Sequence, residues 1–158
     1  MEILRMLNWY DDQYISINFS GRPCVVPRYP MPSMSKEEIK HIKKYPFVNL
    51  KDLQVKLIDY YNQKTYVFDI PKGYYWDGAT IPRIFWRIVG SKTDPAFLIA
   101  SMIHDVLCEN HNYVDGDRYF ADKVFERLLH VADVNAFTRW LMFHSMDNFQ
   151  KFCGWEKK

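Results

Sequence analysis

Apolar and polar residues alternate along Tyr14-Ile-Ser-Ile-Asn-Phe19, the period-two pattern of a strand with one buried face. The same rhythm runs over Leu53 to Tyr61 and Thr65 to Ile70, with Asn62-Gln-Lys64 between them, which predicts a β-hairpin. A helix is predicted between these strands. Ser35-Lys-Glu-Glu38 has capping-box spacing, Ile39, Ile42 and Lys43 follow it, and Pro46 stands just past the expected end. The Pro-rich run from Pro23 to Pro32 predicts an irregular crossing of the surface. Beyond residue 72 the period lengthens to that of helices: Pro82 to Val89 closed by Gly90, Asp94 to Cys108, Asp117 to Val131, and Asp133 to about Cys153. In the last of these, Val134, Phe137, Leu141, His144 and Asn148 recur at helical spacing. The expected fold class is α+β in a single domain over 1–158. Residues 1–72 are mainly β with one helix and form a small antiparallel sheet; 73–158 are mainly α and include an antiparallel helix hairpin.

Composition narrows the function classes. With 158 residues, 48% hydrophobic and 25% charged, the chain can bury one substantial core. A net charge of +2 with no Lys/Arg stripe argues against nucleic acid as a partner. The three cysteines, Cys24, Cys108 and Cys153, are odd in number and far apart, so no disulfide framework is expected and a reducing compartment is the simpler reading. The first residues turn polar too soon for a secretory signal, and no apolar run reaches membrane-spanning length, so a soluble protein is expected.

Chemistry concentrates in two places. His104-Asp105 sits well inside the apolar run from Pro95 to Cys108, where an ionisable group is costly unless paired, hydrogen-bonded or bound to metal. If the helices on either side of Asn112 and Tyr113 fold back on each other, residues equidistant from that loop face one another, and His104 lies opposite Asp122. The second place is Gly73-Tyr-Tyr-Trp-Asp77-Gly78-Ala-Thr80-Ile-Pro82-Arg83. Asp77-Gly78 is a turn signal, and Thr80 is placed to cap the helix that Pro82 opens. That chemistry makes a complete strand-to-helix turn. It also offers the Asp77 carboxylate and loop carbonyls, Gly78 included, to a cation shared with Asp105; a hard cation such as calcium takes about six to eight oxygen ligands of this mixed kind.

Taken in order, Asp77-Gly-Ala-Thr-Ile-Pro-Arg83, His104-Asp105 in an apolar helix, and Arg118-Tyr-Phe-Ala-Asp122-Lys-Val-Phe125 resemble a family of small proteins of unknown function found in bacteriophage and prophage genomes, over roughly residues 60 to 130. That resemblance implies a phage context, with the host cytoplasm or the virion as location. More distantly, the order of Asp-Gly loop, His-Asp helix and a second helix with Asp-x-x-Phe is similar to the prokaryotic-type phospholipases A2. This second resemblance implies that His104 is a general base, Asp122 orients it, and Asp105 holds calcium with Asp77 or Gly78, in the hydrolysis of a lipid or other ester.

Other readings stand beside this one. His104 shares a helix face with Phe97, Ala100 and Leu107, so its bond to Asp122 also makes sense as a buried polar network that pins the hairpin. His104, Cys108 and His111 have a spacing that could suit zinc, although ordinary helix positions explain all three. An HD-type phosphohydrolase would need further histidines on neighbouring helices; the segment just upstream of residue 104 offers none, and His130 and His144 could contribute only through an unusual fold. A non-enzymatic protein of the virion, or one that binds a host protein, would present aromatics from Tyr74, Tyr75, Trp76, Phe85, Trp86 and Trp155.

Overall fold

The computed structural model describes residues 15–78 and 95–153. The expected helix from Pro82 to Val89, the cap at Thr80, and Asp94, Phe85, Trp86 and Trp155 lie outside the described residues. In chain order the elements are β1 (Ile15–Phe19), β2 (Val25–Pro27), α1 (Lys36–Lys44), β3 (Phe47–Asn49), β4 (Leu53–Asp59), β5 (Lys64–Ile70), β6 (Tyr75–Trp76), α2 (Pro95–Glu109), a 3-10 turn (His111–Val114), α3 (Arg118–Val131) and α4 (Ala136–Cys153). The α+β architecture is the one the sequence predicts.

The strands form two antiparallel three-stranded sheets, ordered β1-β4-β5 and β2-β3-β6. The first contains the predicted hairpin, with Leu53 opposite Ile70, Val55 opposite Phe68 and Leu57 opposite Tyr66. Because side chains alternate across a strand, this register sends all six to one face, and all six are buried. The turn is held by Asp59, whose Oδ1 accepts from the backbone N–H of Tyr61 (3.1 Å) and Asn62 (3.2 Å). The second sheet departs from expectation. Residues 25–27, expected within an irregular crossing, pair with β3, and β3 pairs in turn with β6. Pro27 costs little there, since β2 is an edge strand and need not donate on its outer side.

Helix α1 has the predicted capping box: Ser35 Oγ accepts from the Glu38 N–H (3.2 Å), and Glu38 Oε2 accepts from the Ser35 N–H (2.7 Å). Those bonds favour the ionised carboxylate and hold the Glu38 pKa below its ordinary value. Helix α3 begins as predicted at N-cap Asp117, whose side chain accepts from the Phe120 N–H at 2.9 Å. The last helix starts later than expected. Asp133 takes a left-handed conformation (φ 61°), and Asn135 is the cap, accepting from the Thr138 N–H at 2.9 Å.

Helix α2 is buried on nearly every side. Phe97, Ala100, Met102, Ile103, Val106 and Leu107 are all in the core, so it reads as a central helix and not a surface one. The 3-10 turn then reverses the chain through Asp115 and Gly116, both at positive φ, and lays α3 antiparallel against α2. Ring contacts couple the sheet to this helical layer: Tyr66 meets Phe120 at 5.3 Å, and Phe68 stacks on Tyr113 at 5.1 Å. One hydrophobic cluster thus runs from Ile15 to Met142. Among the described residues no helix is long and apolar enough to cross a membrane.

Candidate functional site

The hairpin of α2 and α3 brings Nε2 of His104 to 2.8 Å from Oδ1 of Asp122. A carboxylate only accepts, so Nε2–H donates. Asp122 is fully buried and His104 is 8% exposed. The edge of the imidazole meets the Phe125 ring at 5.5 Å, one turn of α3 beyond Asp122. This packing and the Asp122 bond fix the ring plane. Cys108, one turn along α2, lies against the same ring, its Sγ 3.6 Å from Nδ1 and 3.9 Å from Nε2. The second oxygen of Asp122, Oδ2, is buried and has no hydrogen-bond partner among the described residues.

Trp76 explains how the Asp-Gly loop reaches the same helix. Its indole is 1% exposed, and its Nε1–H donates to Ser101 Oγ at 3.1 Å, while the Ser101 hydroxyl donates to the Leu98 carbonyl at 2.9 Å. Ser101 and Asp105 are one turn apart on α2, so anchoring Trp76 at Ser101 delivers the next residue, Asp77, to Asp105. The two carboxyl groups are close enough to act on each other. Gly78 follows at φ 88°, a conformation that favours glycine, as the turn signal anticipates. Burial pushes the Asp105 pKa well above the usual carboxylate range, and the neighbouring charges of Asp77 and Glu109 push it further. The Tyr74 phenol is raised as well, first by burial and then by Glu109 and Asp105, so it stays protonated.

Asp105 therefore carries a stability signature. Its folded state holds a proton over the pH window between the ordinary aspartate value, near 3.9, and its raised one, where the unfolded chain has lost it. Stability from this group falls as pH rises through that window and stays lower above it. Asp105→Asn should melt at a temperature equal to wild type near pH 3 and a few degrees higher at pH 7 in a chelator, because the amide can still donate to Asp77. Thermal melts at both pH values check this; equal melting temperatures at pH 7 would contradict it.

The expected site residues thus fall into two groups, His104 with Asp122, and Asp105 with Asp77, which Gly78 follows in the chain. Trp76, offered among the surface aromatics of the interaction-protein reading, is core, although Tyr75 is 41% exposed. His111 lies in the 3-10 turn past the helix end, as its position in the sequence suggests, and among the described residues no three His, Cys, Asp or Glu side chains are arranged to hold a metal ion. A cation at Asp77 and Asp105 would therefore draw its other ligands from backbone carbonyls and water. Sequence reasoning did not find the anchoring role of Ser101 or the contact between Cys108 and Nδ1. The four-residue spacing from His104 to Cys108 was the available signal for the second.

Residues 54–146 match the model of a protein family of unknown function, DUF1353. A 60-residue stretch is 40% identical to the uncharacterized protein y4jT of Sinorhizobium fredii (strain NBRC 101917 / NGR234), covering 33% of this chain and 18% of that protein. The chain thus matches less than a fifth of that relative's length. No solved structure matches.

Proposed function

The chain belongs to the DUF1353 family of unknown function, and we propose that it hydrolyses ester bonds, of the phospholipid type, at His104 and Asp122 in a calcium-assisted reaction. The observation that carries this reading is the 2.8 Å bond from His104 Nε2 to a fully buried carboxylate, which fixes the direction of the ring. Nδ1 takes the proton of the attacking nucleophile, water in the simplest case, and returns it to the leaving alcohol. Asp122 holds the tautomer and stabilises the imidazolium as it forms. Asp105 and Asp77 suit a hard cation. Two carboxyls pressed together, one of them partly buried, need either a shared proton or a positive ion between them, and all their donors are oxygen. Calcium bound there would supply positive charge for the oxyanion that develops on the substrate. The similarity of the ordered motifs to prokaryotic-type phospholipases A2 supports the substrate class, and the similarity to phage-encoded proteins supports action in a phage-infected host cell or from the virion.

The depth of the pair favours a second reading, a virion or host-interaction protein in which His104 and Asp122 pin the hairpin. An assay of the full chain on short-chain acyl esters and on phospholipid vesicles separates the two, run with calcium and with chelator. Turnover with calcium that falls by at least about tenfold in chelator supports the hydrolase. No turnover on either substrate in calcium supports the structural protein.

A further inference from the structure

We propose that the face built from α1, the segment leading into it and Tyr75 docks the protein on an anionic phospholipid surface; the proposal rests on the reading of the site as one for phospholipid-type esters. Helix α1 buries Ile42 and half-buries Ile39, which settles the face it turns outward. Lys36, Lys40, Lys43 and Lys44 are all exposed, and Glu38, one of two glutamates in the helix, is engaged in the capping box. The net charge of +2 is therefore unevenly placed, with four lysines and nearby Arg28 against two glutamates in this one region. Between Arg28 and Ser35 the chain runs alongside α1. Arg28 Nη1 donates to the Tyr45 carbonyl at the far end of the helix (2.8 Å) and stands 3.0 Å from His41 Nδ1, while Ser35 caps its start. That segment leaves Tyr29 74% and Met31 55% exposed. The Arg28 guanidinium also lies 4.0 Å from the centre of the Tyr75 ring, which meets His41 edge-on at 5.3 Å, so β6 joins the same face.

Exposed tyrosines and a methionine set among lysines make a surface with two demands. An anionic lipid surface meets both: its headgroup charge attracts the lysines over a Debye length, and the layer between headgroups and acyl chains takes amphipathic rings and an apolar thioether. Lysine stems are long and flexible enough to reach phosphates while the rings settle deeper. The face also continues into the candidate site. Tyr75 and Asp77 are two residues apart and both exposed, with Trp76 between them in the core. A lipid surface that holds Tyr75 therefore lies beside the carboxylate expected to bind calcium.

The test is co-sedimentation of the full chain, in chelator, with vesicles of phosphatidylcholine alone and of phosphatidylcholine carrying about 30% phosphatidylglycerol. Wild type is compared with Lys40→Glu/Lys44→Glu, with Tyr29→Ser, and with Lys56→Glu/Lys64→Glu, an equal charge reversal at exposed positions of the first sheet, with melting temperatures recorded for each. The expected result is binding at least about tenfold tighter with phosphatidylglycerol than without, and weaker as salt is added. It should be lost in Lys40→Glu/Lys44→Glu, reduced in Tyr29→Ser and kept in Lys56→Glu/Lys64→Glu. If the α1 reversal melts far below wild type, Lys40→Gln/Lys44→Gln replaces it, with a smaller loss in the same direction. Equal binding to the two vesicles, or equal losses in the two reversals, would overturn the proposal. Duplex DNA bound through Lys40 and Lys44 more tightly than the vesicles would overturn it too, in favour of nucleic acid. Vesicle binding without ester turnover would refute the hydrolase and leave the docking face standing. Turnover of a short-chain ester without vesicle binding would overturn the docking face and leave the proposed function intact.

Discussion

His104→Ala and Asp122→Ala are each expected to lower stability by about 1–3 kcal/mol, and the double variant to lose clearly less than the sum. The pair is buried, so removing either partner strands the other without water to replace it. The two losses should be unequal. Asp122→Ala leaves a neutral N–H without an acceptor, whereas His104→Ala opens a cavity beside Phe125 and leaves a buried carboxyl whose Oδ2 already lacks a partner among the described residues. His104→Ala should therefore be the more destabilising. Urea unfolding of the two single variants and the double variant measures the coupling directly. Additive losses would mean that the 2.8 Å contact contributes little.

His104→Gln is expected to behave differently, and the contrast separates base from brace. Glutamine reaches as far as Nε2, so its amide can still donate to Asp122 Oδ1 and keep the hairpin closed. It cannot accept and release a proton near neutral pH. Loss of a general base typically costs about 10²–10⁴ in rate. A large loss of hydrolysis with a nearly unchanged melting temperature is therefore the expected signature.

The sequence made local chemistry and symmetric geometry visible. The capping box at Ser35 and Glu38 is contained within four residues, and Asp117 caps α3 in the same way. The facing of His104 and Asp122 follows from their equal distance to Tyr113 once the helices are known to reverse. What stayed hidden is non-local. Strands β2, β3 and β6 are two or three residues long, too short for a period to show, and β3 pairs with β6 across the whole first-sheet hairpin. Trp76 reads equally well as surface or core from sequence. Only Ser101, twenty-five residues on, satisfies its N–H inside the protein. The spacing of Cys108 from His104 was legible as a shared helix face. Its contact with the imidazole ring was not, because the ring direction depends on Asp122 and Phe125 from the other helix.

The central claim is that a buried His104, held by Asp122, works as a base on an ester. The most direct measurement is kcat/KM of wild type and His104→Gln on one acyl ester in calcium, with both proteins shown to melt within about 2 °C of each other. The account predicts a loss of at least about 100-fold in the variant, roughly 2.7 kcal/mol of transition-state stabilisation. Equal rates for the two proteins would contradict it.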